Sequence, residues 1–179
     1  MPPTSNEERL AEILSQCMAE LIAELGIAAK HIPGVQPHLA THGSTTAFSG
    51  FGSGDLRGSF TLTGPSAVFS RLHPLPPTVT LRDLADWACE LVNQATGRFR
   101  NRLLAYGVRL AMGVPQSVLS DEVRLSSSLR PGRSPISFAV DDMILEGWLE
   151  LEIKPGFQLP ENPSAENAEA LKEGSLVFF

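Results

Sequence analysis

Asp86, Glu90 and Asn93 lie four and then three positions apart in DLADWACELVNQATGRF, residues 83–99. On a helix that spacing stacks all three on one face. A carboxamide does little acid–base chemistry. It can hold a water, by donating one hydrogen bond and accepting another, as a Gln does when it orients the attacking water in nucleotide hydrolases. Glu90, ionised and one turn away, could pair with a lysine of a partner. A reaction needing only these two groups is water attack on a phosphoryl group already activated elsewhere.

Stepping 100° per residue from Asp86, Glu90, Asn93, Gly97, Arg100 and Asn101 fall within about 60° of it. Leu84, Ala88, Leu91, Val92, Ala95, Phe99 and Tyr106 cluster opposite. The packing face is complete without Glu90 and Asn93, which therefore point outward, into solvent or at a partner. The ordinary meaning of acids on a helix is a solvated face. That does not account for Asn93 and Gly97, since Asn is several tenths of a kcal/mol and Gly about 1 kcal/mol worse than Ala in a helix interior. Gly97 removes a side chain where another surface could come close. The stripe reads as a docking face with a carboxamide at its centre.

The elements that must carry this face follow from periodicity and caps. Residues 5–26 predict a helix with Ser5 as N-cap, Glu8 as its capping-box partner and Gly26 as the stop; Leu10, Ile13, Leu14, Cys17, Leu21 and Leu25 form its apolar stripe. Residues 31–44 read as a loop. Alternation in 45–63 around GSGD (52–55) predicts a hairpin. Residues 65–73 predict a short helix with Pro65 in its first turn, and HPLPP (73–77) a rigid break. The long helix runs from about Thr80, its N-cap, to Tyr106, and Gly107 ends it. Strands are expected at 108–115 and 117–125, a loop at 126–135, and a last hairpin from ISFAV (136–140) and 144–154 joined by DDM. In its second strand Leu145, Gly147, Leu149, Leu151 and Ile153 predict a buried face, and Glu146, Trp148, Glu150 and Glu152 a wet one. The fold class is α/β in the α+β sense: helices layered on a mainly antiparallel sheet. The domain is expected over 1–157, with a polar tail over 158–179.

Bulk properties narrow the function. The chain has 179 residues and a net charge of −6, which argues against a nucleic-acid partner. No apolar run reaches 18 residues, so no membrane span is expected. The N-terminus lacks a basic region followed by an apolar run. Cys17 and Cys89 show no metal or redox spacing and read as reduced, half-buried thiols. The expectation is a cytoplasmic protein with no metal site of its own. Other motifs are weak. GFGSG (50–54) lacks the helix and the Lys-Ser/Thr of a phosphate loop and reads as a hairpin turn. His38 and His42 have no third ligand at a known spacing. Arg98, Arg100, Arg102 and Arg109 have no aromatic platform beside them and read as a solvated face. SLVFF at the end reads as docking onto its own domain.

Asp86, Glu90, Asn93 and Pro115 match the signature of the CheC/CheX/FliY phosphatases, which act on phosphorylated CheY-like response regulators. Asn93 and Pro115 are separated by 21 residues, one fewer than the family's usual gap. ELVNQATG resembles the family's Glu-x-x-Asn-x-x-x-Gly helix, LAMGVP its following strand, and the order of elements over residues 6–153 its domain. One motif is present, as in CheX. Ser120 departs from the glycine that many relatives have after the proline. The resemblance implies that Asn93 orients water in line with a receiver's aspartyl phosphate and that Glu90 pairs with the receiver's lysine, as the two catalytic residues. Asp86, Gly97 and Arg100 would meet the partner, and Pro115 would shape the strand. The chain would need no cofactor, the Mg²⁺ belonging to the receiver, and it would form a homodimer. The alternative is an adaptor that docks on a receiver in a chemotaxis, flagellar-switch or other two-component complex without hydrolysing its phosphate. A purely structural domain would bind no receiver.

Overall fold

The computed structural model describes residues 5–32, 44–74, 79–120 and 133–164. His38, His42 and the SLVFF end lie outside them. Helix α1 spans Asn6–Glu24, and its capping box is present as the sequence predicts: Ser5 Oγ accepts from the Glu8 amide and Glu8 accepts from the Ser5 amide. Gly26, at φ +73°, turns the chain in the left-handed region that glycine enters without strain. Strand β1, Ala29–Ile32, falls where a loop is expected to begin; four residues without alternation carry no periodic signal.

The hairpin is β2, Ser44–Gly52, and β3, Leu56–Pro65. Ser53 braces its turn, its Oγ accepting from the Asp55 and Leu56 amides. Helix α2, Ser66–Leu72, follows directly, with Pro65 at its N-cap rather than inside its first turn. Helix α3, Leu81–Ala105, has Thr80 as N-cap and Asp83 completing a second capping box. The Thr80 hydroxyl and amide hold the Asp83 carboxyl below the ordinary carboxylate range.

The single strand expected over 108–115 reduces to β4, Ala111–Met112, and β5 is Gln116–Ser120. Both pair with the same edge of β2: Phe51 opposes Met112 and Phe48 opposes Gln116. Residues 113–115 therefore face only Ser49 and Gly50, so β4 and β5 are one edge strand with a bulge. Pro115 sits in that bulge, a position where its missing N–H costs no ladder bond. Strands β6, Arg133–Pro135, β7, Ser137–Val140, and β8, Met143–Ile153, complete the fold. β6 occupies part of the expected loop. Asp141, at φ 54°, makes the last hairpin turn.

All pairings among the described residues are antiparallel, in the order β1-β7-β8-β3-β2-β4, with β5 continuing along β2 and β6 along β8. α1 packs over β1 and β6, α3 over β2, β3 and β5, and α2 over β3 against α3. The core lies between these helices and one face of the sheet. Phe60, Leu62, Leu145, Leu149, Phe69 and Phe99 are fully buried there, each stabilising by roughly 1.5–3 kcal/mol. Gly147 sits where a Cβ would come within 2.8 Å of the Ile136 carbonyl, so only glycine lets the backbone between β6 and β7 close against β8 at this point.

The expectation for β8 is half right. Leu145, Gly147, Leu149, Leu151 and Ile153 do face the helices. On the other face Glu152 is exposed, but Trp148 and Glu146 are buried, at 2% and 8%. They belong to a covered strip with Thr46, Thr61 and Thr63, and the Thr46 and Thr63 hydroxyls hydrogen-bond at 2.6 Å. Glu and Thr look polar in a sequence, and alternation does not report whether a second face is covered.

Residues 158–164, counted with the tail, run back over the domain. Leu159 is 4% exposed and joins the core. Asn6 grips this stretch as a backbone would, donating to the Phe157 carbonyl at 2.8 Å and accepting from the Leu159 amide at 3.1 Å. Arg9 donates to the Leu159 carbonyl at 2.6 Å, and the Ser164 amide bonds the Ala105 carbonyl at the end of α3.

Candidate functional site

α3 divides cleanly into two faces. Leu84, Ala88, Leu91, Val92, Ala95 and Phe99 are buried, and Phe99 meets Phe51 edge-on with ring centroids 5.5 Å apart. Asp86, Glu90, Asn93 and Asn101 are exposed, with Gly97 and Arg100 half-exposed beside them. Every residue singled out on the stripe lies on the outward side. A Cβ at Gly97 would meet nothing within 4 Å, so no internal packing requires glycine there.

Asn93 presents a free carboxamide: among the described residues its side chain has no hydrogen-bond partner. Its backbone is held firmly. Thr96, fully buried, donates its hydroxyl to the Val92 carbonyl at 2.7 Å and to the Asn93 carbonyl at 3.2 Å. Glu90 is held from the next turn, where Gln94 Nε2 donates to Glu90 Oε1 at 2.6 Å. The Glu and Gln four apart are visible in the sequence, but Gln94 sits at the margin of the stripe and is not singled out by the wheel. Among the described residues Arg100 makes only long contacts, 3.3 and 3.4 Å, to Asn101 Oδ1, which leaves its charge available.

The arginine cluster corrects one expectation. Arg98 and Arg102 are not a solvated face: they tie α3 to α1. Arg98 forms a two-pronged pair with Glu24, and Arg102 bonds Gln16 at 3.0 Å and pairs with Glu20. The Arg98 guanidinium holds the Glu24 carboxyl below its ordinary range. Cys17, expected half-buried, is fully buried between these helices; burial pushes its thiol up to about 11. Both cysteines are free.

Pro115 stands on the neighbouring edge strand, off the helix. The bulge is pinned by the Gly113 amide on the Gly50 carbonyl, 2.7 Å, and by Ser49 Oγ on the Gly113 carbonyl, 3.2 Å. It pushes Val114 out to 83% exposure. Among the described residues no cluster of His, Cys, Asp or Glu could hold a metal ion, and no helix is long and apolar enough to cross a membrane.

Several solved proteins share this architecture. CheX of Vibrio vulnificus superposes with a TM-score of 0.69 at 14% identity, covering 80% of this chain and 99% of that one. A CheC-like superfamily protein of Shewanella gives 0.68 at 14% identity, over 83% and 99% of the two chains. This chain has the CheX/CheC fold. A CheX–CheY–BeF3–Mg complex from Borrelia burgdorferi superposes at 0.57 and 12% identity, over 79% and 96%. No family model and no curated protein matches the chain by sequence.

Proposed function

We propose that this protein is a phosphatase for the aspartyl phosphate of a CheY-like receiver domain. The observation that carries the reading is Asn93: an exposed carboxamide in mid-helix, unpartnered among the described residues, its backbone clamped by Thr96 and an acid one turn before it. Inserted into a receiver's site, Asn93 would accept from and donate to a water in line with the phosphorus. The water oxygen forms a bond to phosphorus as the bond to the aspartyl oxygen breaks. The receiver's carboxylate is released, the attacking water's proton passes to a phosphoryl oxygen, and inorganic phosphate leaves. The receiver's Mg²⁺ would offset charge on the phosphoryl oxygens. Glu90 would anchor the docked helix on a lysine of the receiver, Asp86 would add negative charge, Arg100 would meet an acid, and Gly97 would let the partner's surface approach. In the Borrelia complex a protein of this fold is joined to CheY with BeF3 and Mg, which supports the choice of partner.

The test is decay of the phosphorylated receiver with wild type, Asn93→Ala and Glu90→Ala. Asn93→Ala should lose acceleration by about a hundredfold or more, the scale of removing one preorganised polar group from a transition state, while still binding the receiver. Equal decay with all three proteins would remove the catalytic claim; binding without acceleration by wild type would leave an adaptor.

A further inference from the structure

Of the two residues assigned to the reaction, only Glu90 has its side chain engaged by another described residue before any partner arrives. The engagement is specific. Gln94 Nε2 reaches Glu90 Oε1 at 2.6 Å, as expected of a residue whose side chain leans toward the helix N-terminus and over the preceding turn. Gln94 is itself half-buried, so its amide is less free to wander than a fully exposed one. The donor is an uncharged amide, so it brings no opposite charge to the carboxylate. Oε2 has no partner among the described residues, and an ionised carboxylate can accept at both oxygens.

From this geometry we propose that Gln94 is a positioning residue. It fixes the Glu90 carboxylate in advance with one oxygen held and the other offered to an ammonium group of the partner. The inference rests on the phosphatase reading and deepens it: Gln94 sets how tightly the receiver's lysine is captured, not how fast phosphate leaves. Holding a rotamer-rich side chain before docking removes an ordering cost that would otherwise fall on binding. The opposite arrangement, a hydrogen bond that parks Glu90 away from its lysine, makes the contrary prediction.

The experiment uses the full chain and a receiver loaded with beryllium fluoride, a stable mimic of the acyl phosphate. Gln94→Met keeps the length and helix propensity and deletes the donor. It should raise the Kd about threefold to tenfold, and KM in turnover by the same factor, with kcat and the unfolding temperature unchanged. In a Glu90→Ala background the same substitution should change nothing, since the interaction it removes is already gone. An unchanged or lower Kd in the single variant overturns the proposal. So does an equal loss in the Glu90→Ala background, which would place Gln94 against the partner. If wild type binds and accelerates none of the host's phosphorylated receivers, the phosphatase reading falls and this one with it. If wild type is active and Gln94→Met is indistinguishable from it, only the positioning role falls.

Discussion

Gly97 and Asn93 are both poor choices for the middle of a helix, and α3 keeps them where nothing among the described residues asks for either. The open space around Gly97 makes its role separable from stability. Gly97→Ala should stabilise the chain by about 0.8–1 kcal/mol in chemical denaturation, and should weaken binding to the phosphorylated receiver about threefold or more if the partner's surface approaches that point. Gained stability with unchanged binding would take Gly97 out of the interface. These residues are legible in the sequence because helix propensity and position disagree: a wheel shows that the core does not need them. Gln94 and Thr96 are less legible. Each acts through one hydrogen bond to a neighbouring turn, and a Thr on the buried side of a wheel looks like any small core residue until its hydroxyl is seen on the carbonyls of Val92 and Asn93.

At the scale of elements, the three helices are readable because their ends are written in local residues, most clearly the capping pairs Ser5 with Glu8 and Thr80 with Asp83. The edge strand is not. Its bulge depends on a count of residues against β2, and no local pattern encodes that register. The short strands β1 and β6 are likewise defined by their partners rather than by themselves. What joins the elements is also partly hidden: Arg98 and Arg102 look like solvent charges in sequence and bind α1 in space. This tie is pH-sensitive. Glu24 has its folded pKa depressed by Arg98, so its stabilising effect is present above the unfolded pKa and is lost as pH falls through the folded one. Thermal unfolding followed from about pH 6 to about pH 2 should show wild type losing more stability than Glu24→Gln. Parallel curves would mean that solvent screens the pair completely.

Over the whole molecule, helices layered on an antiparallel sheet are expected from the order of elements, and the chain folds that way. The burial of Trp148 and Glu146 and the return of residues 158–164 are not foreseen, because alternation along one strand does not report cover on its second face and the return is a contact between distant parts of the chain. Leu159 measures that return. Leu159→Ala should cost about 2–5 kcal/mol, as for other buried leucines, whereas a merely decorative tail would lose almost nothing. Cys17 offers a global readout. Fully buried and with its thiol pushed up to about 11, it should resist alkylation at neutral pH until the domain opens. Labelling of Cys17 should track global unfolding, with half-buried Cys89 modified earlier; early labelling of Cys17 would reveal local parting of α1 from α3.

Because the helix that offers Glu90 and Asn93 outward is also the one whose inner side fills the core, the phosphatase reading puts its inner and outer faces under two different selective pressures, with Arg98 and Arg102 tied to α1 between them. A saturation scan of residues 81–105 would therefore resemble two interleaved waves of period about 3.6. Losses of cellular abundance would peak at Leu84, Ala88, Leu91, Ala95 and Phe99. If the proposed function holds, losses of receiver dephosphorylation at normal abundance would peak half a turn away, at Glu90, Asn93 and Gly97. Their phase difference would be a structural measurement made entirely by genetics.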